Sequence, residues 1–255
     1  MQVNFGMDSN PNNGIEDEFI TVPMLGQVRL FAQSREVSSS FYDMSAQFSY
    51  FSPISQQSKW YASFGAARTE FTDDEALSRA NVNAIVGFKT QLENVDIGTR
   101  TFYRPLWLDG THFLNYFGVI ADASLPVLNQ STLGTDLTFA KLDYADLNEL
   151  TRNQIWFDFW FETPTFGGLS RFTLKVGDEQ SDSPQFDFNS RKLTGIEYSF
   201  TQQVNWQWSY KLKADYLKAK YDQPHPLFAE SRDDKLLQVL IDLNCQWLDD
   251  WLLTG

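Results

Sequence analysis

The chain has one cysteine, Cys245, and two histidines, His112 and His225, in 255 residues. A single thiol excludes an internal disulfide and any multi-thiolate metal cluster. His112 and His225 stand alone, with no second ligand at metal-binding spacing, so no zinc site is expected. Basic charge is also short: 20 Lys and Arg against 33 Asp and Glu leave a net charge of -13, which argues against nucleic acid as a partner, since phosphate binding needs clustered cations. No run approaches the roughly 18 apolar residues of a membrane-spanning helix. Residues 1–6 (Met1, Gln2, Val3, Asn4, Phe5, Gly6) have neither the basic start nor the apolar stretch of an export signal.

Aromatic residues are plentiful: 22 Phe, 10 Tyr and 8 Trp make up 16% of the chain, yet mean hydropathy is only -0.36. Strict alternation reconciles the two. Trp206, Trp208, Tyr210, Leu212, Ala214 and Tyr216 alternate with Gln207, Ser209, Lys211, Lys213 and Asp215. Leu237, Val239, Ile241, Leu243, Cys245 and Trp247 form one side of a later segment. Ile155, Phe157, Phe159 and Phe161 oppose Trp156, Asp158, Trp160 and Glu162. A period of two is the signature of strands with unlike faces. Strands are expected near 2–7, 40–51, 59–69, 79–90, 95–104, 111–124, 132–143, 153–163, 170–180, 191–201, 206–220 and 235–247, with another opening at Trp251. Most exceed the usual five or six residues of a globular strand and match the length needed to cross a bilayer at a tilt.

Short turns near 52–58, 91–94, 126–131, 164–169, 202–205 and 248–250 alternate with longer polar segments near 8–39, 70–78, 105–110, 144–152, 181–190 and 221–234. A sandwich has no reason to sort its loops by parity, whereas an outer-membrane barrel has short periplasmic turns and longer outer loops. Aromatics fall at both strand ends: Tyr50, Trp60, Phe88, Phe200, Trp206, Trp247 and Trp251 beside short turns, and Tyr103, Phe113, Phe139 and Tyr216 toward the long loops. Two such girdles are expected where rings meet both membrane interfaces; a soluble β-fold would instead bury the same rings in a core. The expected fold is all-β, a transmembrane antiparallel up-and-down barrel of about 14 strands when complete, one domain over 1–255 that stops near strand 13.

With the apolar face toward lipid, the opposite face lines a lumen with Asp43, Lys89, Asp96, Arg100, Arg104, Asp122, Asp136, Asp158, Glu162, Lys175, Glu197, Lys211, Lys213, Asp215 and Asp242. Placing a Lys or Arg among them in lipid would cost about 2–4 kcal/mol at mid-bilayer. Charges of both signs suit either a water-filled pore or a salt-bridged interior, and the bulky Phe102, Trp156 and Trp160 on that face favour a constricted one. No nucleophile elbow, phosphate loop or dinucleotide fingerprint occurs, and no enzyme activity or cofactor is expected. Asp158 and Glu162 share a face but lie roughly 13 Å apart along a strand, too far to share a proton. Asp8, Asn10, Asn12 and Gly14 resemble half of a calcium loop, but its glycine and its twelfth position, Phe19, are wrong for the helix–loop–helix type. A looser site with Glu16, Asp17 and Glu18 competes with a plain turn, and segment 15–39 either plugs the lumen or extends the first hairpin.

Short motifs add a resemblance. Gly6-Met7-Asp8-Ser9-Asn10-Pro11-Asn12, Val37-Ser38-Ser39-Ser40-Phe41, Tyr50-Phe51-Ser52-Pro53-Ile54 and Arg232-Asp233-Asp234 resemble the barrels that follow tetratricopeptide repeats, in the surface lipoprotein assembly modifier family and related exopolysaccharide-export porins. The resemblance covers most of the chain. It implies a bacterial outer-membrane location, an upstream periplasmic repeat domain, and passage of a surface lipoprotein or polysaccharide, with no catalytic residue and a weak seam at the short first strand. The competing expectation is a self-standing solute channel; a membrane-embedded hydrolase and a soluble ligand-binding β-protein are the remaining alternatives.

Overall fold

A computed structural model describes residues 2–8, 19–22, 26–29, 38–73, 75–127, 130–224, 226, 232–248 and 251–254. Thirteen strands form one antiparallel sheet in which sequence neighbours are spatial neighbours: β1 (Gln2–Asp8), β4 (Ser39–Pro53), β5 (Ser58–Phe71), β6 (Arg79–Leu92), β7 (Val95–Leu108), β8 (Thr111–Pro126), β9 (Thr132–Tyr144), β10 (Arg152–Thr165), β11 (Gly168–Ser181), β12 (Arg191–Gln203), β13 (Trp208–Tyr221), β14 (Asp233–Leu248) and β15 (Trp251–Thr254). This is the up-and-down all-β architecture that the alternation predicts. β2 (Phe19–Val22) and β3 (Gly26–Arg29) make a separate hairpin within segment 15–39. Among the described residues β1 pairs only with β4 and β15 only with β14, so the sheet does not close on itself.

The strands are longer than their sequence limits by one to four residues at most ends, because cross-strand pairing carries the ladder past the last alternating side chain. One connection differs in kind. The expected long segment at 105–110 is instead strand through Leu108 and a two-residue turn, Asp109-Gly110, before β8 resumes at Thr111. Asp109 (φ 45°) and Gly110 (φ 70°) both adopt the left-handed conformation that a tight hairpin turn needs, and an Asp-Gly pair supplies it readily. His112 lies in β8, half-buried, with Nε2 3.0 Å from Asn115 Oδ1. The partial calcium-loop match continues into residues 9–18, and these and His225 lie outside the described residues.

Register fixes the two faces. From β4 to β14 the paired positions carry one set of side chains to one face without a break in parity, apart from an irregularity between Leu106 and Trp107 at the end of β7. On one face lie rows such as Phe159–Leu174 and Ile196–Tyr216–Leu237. On the other lie rows such as Asp122–Asp136–Asp158–Lys175. The apolar face is the exposed one: Phe48 is 68% exposed, Leu237 69% and Val239 70%. On the polar face the side chains of Asp215, Glu197 and Lys175 are only 13%, 18% and 20% exposed. The polar face is therefore the sheltered, inner one. Among the described residues only Phe71, Phe102, Leu193, Phe200, Ala219 and Tyr221 are buried apolar side chains. A soluble fold of this length would have hidden far more.

Candidate functional site: the inner face

All fifteen charged residues expected to share a face do so. Lys175 organises the middle. Its register partner on β12 is Gly195, which leaves the space beside it open. Lys175 Nζ donates to Glu197 Oε2 at 2.6 Å and to Asp215 Oδ1 at 2.9 Å. Lys213 Nζ lies 3.0 Å from the same Glu197 oxygen. On the other side, Asp122, Asp136 and Asp158 stand in one cross-strand row that ends on Lys175. Arg100 Nη1 donates to Asp122 Oδ1 at 2.7 Å, and Arg171 Nη2 approaches Asp136 Oδ2 at 4.0 Å. Like-charged neighbours in register destabilise a sheet unless cations intervene; Arg100 and Arg171 intervene at Asp122 and Asp136, while Asp158 Oδ1 is buried without a hydrogen-bond partner.

The remaining members sit around this centre. Arg104 Nε donates to Asn83 Oδ1 at 2.8 Å while its guanidinium lies 4.8 Å from the centre of the Phe102 ring. Thr69 Oγ1 donates to Asp43 Oδ1 at 3.0 Å. Glu162 is in register with Arg171, and Lys211 with Asp242. Asp158 and Glu162 share the face four residues apart but belong to different parts of the array. Lys89 is in register with both Lys59 and Gly98 and, with Asp96, lines a cavity of about 440 Å³ at the short-turn end.

A second array at the long-loop end escapes sequence reasoning. Glu179, 4% exposed, accepts from Gln154 Nε2 and Arg191 Nε, each at 2.6 Å, and Arg152 Nη1 stands 3.4 Å away. Tyr116 OH donates to Gln154 Oε1 at 3.0 Å. Arg191 Nη1 donates to Tyr221 OH at 3.1 Å, and that hydroxyl donates to Asp234 Oδ2 at 3.2 Å. Arg232 Nε closes the chain on Asp234 Oδ1 at 2.8 Å. The hydrogen bond to Asp234 holds the Arg232 guanidinium above its usual pKa. This relay ties β8, β10, β11, β12, β13 and β14 together. Parity carried the missing signal: Glu179 has the same parity as Lys175 and Gln154 the same as Asp158, but both stand at strand ends.

The bulky inner residues do not project as expected. Trp156 lies across Gly177 and Trp160 across Gly134, each glycine its directly paired neighbour on the adjacent strand. A methyl group at either glycine would occupy the space of the indole. Arg171 covers the other side of the Trp160 ring at 3.9 Å. The rings are laid along the sheet wall, so their size alone does not narrow the interior. Phe102 stacks on Tyr116 at a centroid distance of 4.9 Å.

The expected girdle divides. At the short-turn ends Tyr50, Trp60, Phe88 and Trp206 are exposed, and Tyr50 and Trp60 pair with ring centres 5.4 Å apart. Toward the long loops Tyr103, Phe139 and Tyr216 are exposed, while Phe113 is half-buried against Tyr144. Phe200 departs from expectation: it is only 8% exposed because its ring lies over Gly168 beside Tyr210. Trp247 and Trp251 lie in β14 and β15, and their side chains fall outside the described residues.

Charge on the exposed face is confined to one end. From β4 to β14 that face carries Arg68, Glu70, Lys141, Asp143, Asp178, Lys192, Lys218, Lys220, Asp233 and Lys235, all near the long-loop ends. Below them the face is uncharged down to the short turns. No protein-family model matches the chain, and no curated protein matches it.

Proposed function

We propose that the chain is the barrel of a bacterial outer-membrane protein, with the uncharged exposed face in lipid and the charged inner face around a lumen. The observation that carries this reading is the inverted distribution of polarity, with apolar rings exposed and ionised groups sheltered. On its exposed face β13 is uncharged from Trp208 to Tyr216, which spans about 26 Å along the strand, or about 20 Å across a membrane at a 40° tilt, most of the roughly 25 Å apolar band of such barrels. Within that frame the chain passes a surface lipoprotein or polysaccharide outward, a role supported by the resemblance of its short motifs to export barrels fed by a periplasmic repeat domain. The arrays centred on Lys175 and Glu179 then set lumen charge and shape, and no residue acts as a catalyst.

Membrane fractionation tests the first half. The chain is expected to pellet with outer membranes, to resist carbonate washing and to require detergent; a monomer stable in water without detergent would overturn the reading. Planar-bilayer recording tests the second. An export barrel is expected to conduct little until its partner domain and substrate are supplied. The second reading, a self-standing solute channel, is favoured by the presence of both charge signs along the inner wall, and a steady open conductance from the barrel alone would establish it.

A further inference from the structure

Four lysines crowd the exposed face at the long-loop end of β12–β14. Lys192 is in register with Lys220, and Lys218 with Lys235. Like charges directly opposite each other destabilise a sheet, and two such pairs lie side by side. The acids facing them are Asp178, in register with Lys192, and Asp233, in register with Lys220 and bonded to Lys218 Nζ at 3.0 Å. Four ammonium groups against two carboxylates leave a net charge of +2. Lys192, Lys220 and Lys235 make no ion pair among the described residues.

Toward the middle of the sheet, β10 and β11 join the same strands around an apolar groove of about 540 Å³ with Phe159, Phe172, Leu174, Ile196, Tyr216 and Leu237 in its walls. Ala214, small among large neighbours, is also part of its lining. Tyr216 is two residues from Lys218, and Leu237 two from Lys235, so groove and cations adjoin along the same strands. Cations above an apolar slot match an amphiphile with an anionic head and hydrocarbon tails; a free anion would leave the groove unused.

We propose that this face binds an acylated lipid with a phosphorylated headgroup in the leaflet at the long-loop end, the phosphate against Lys192, Lys218, Lys220 and Lys235 and an acyl chain in the groove. The site rests on the membrane reading above. Basic clusters at a membrane surface attract anionic headgroups in this way.

The test uses the full chain purified in detergent, incubated with diphosphorylated lipid A, washed, and weighed by native mass spectrometry. One retained lipid per chain is expected. The variant K192Q/K218Q/K220Q/K235Q is expected to retain it about tenfold less or weaker still, Ala214→Trp to lower retention by filling the groove, and inorganic phosphate to leave it unchanged. Equal retention by wild type and the lysine variant overturns the site, as does displacement by inorganic phosphate alone. A chain that enters detergent micelles yet retains no lipid overturns this site and spares the membrane reading. A chain soluble in water without detergent overturns both.

Discussion

The two faces of the sheet solve opposite problems with one backbone. The outer face carries large apolar side chains that remain exposed even where they stand in one cross-strand row, as Phe159, Leu174 and Ile196 do. The inner face pairs its central charges, Lys175 with Glu197 and Asp215 and Arg100 with Asp122, and it makes room for large rings by placing glycine opposite them. The outer face thus depends on its surroundings for stability, and the inner face on internal bonds. A sheet so divided is unstable in water on one side and in lipid on the other, which is why its two sides report separately on the environment.

Four measurements break or sharpen that contrast. The largest effect is expected from Phe159→Arg at mid-height of the outer face: about 3 kcal/mol lost by denaturant unfolding in bilayers if the face meets lipid, and almost nothing if it meets water. Next, Glu179→Gln on the inner face removes the negative charge shared by Arg191 and Arg152 and is expected to cost about 2 kcal/mol, below the range for fully buried pairs because both arginines keep some solvent. Gly134→Val should cost about 1–2 kcal/mol by driving the Trp160 indole off the wall, and the loss of tryptophan fluorescence shielding should accompany it. The smallest effect lies at the long-loop rim, where Asp182 accepts from Lys141 Nζ at 2.9 Å and Asn153 Nδ2 at 3.1 Å. These bonds hold its carboxyl below the usual carboxylate range, the Lys141 bond most of all. A lowered folded pKa means that the contribution is complete above about pH 4 and is lost as pH falls through the folded value. Asp182→Asn should therefore cost a few tenths of a kcal/mol at neutral pH and nothing in strong acid, as measured by thermal unfolding across pH.

The strand count, order and faces were legible because alternation with period two is written residue by residue. Lys211, Lys213 and Asp215 could be assigned to the inner face from β13 alone. The turn at Asp109-Gly110 was also legible in principle, but Pro105 reads as the start of a loop, and the ladder carries Pro105 through Leu108 as strand instead. Glu179, Gln154 and Arg191 fall within the expected strands, but that they meet depends on which strand ends the register brings together. The flattened indoles were out of reach altogether. Nothing about Trp156 or Trp160 in their own strand points to Gly177 and Gly134 on the neighbouring strands.

The sequence by itself determined that the chain is an up-and-down sheet with unlike faces, since each strand's pattern depends only on which way successive side chains point. The tertiary structure decided who meets whom: that Lys175 serves Glu197 and Asp215 rather than its row neighbour Asp158, that Glu179 gathers two arginines, and that four lysines on the outer face lie beside an apolar groove. Those meetings depend on register between strands, and register is set by the turns and by the packing of whole faces, quantities that no single strand contains.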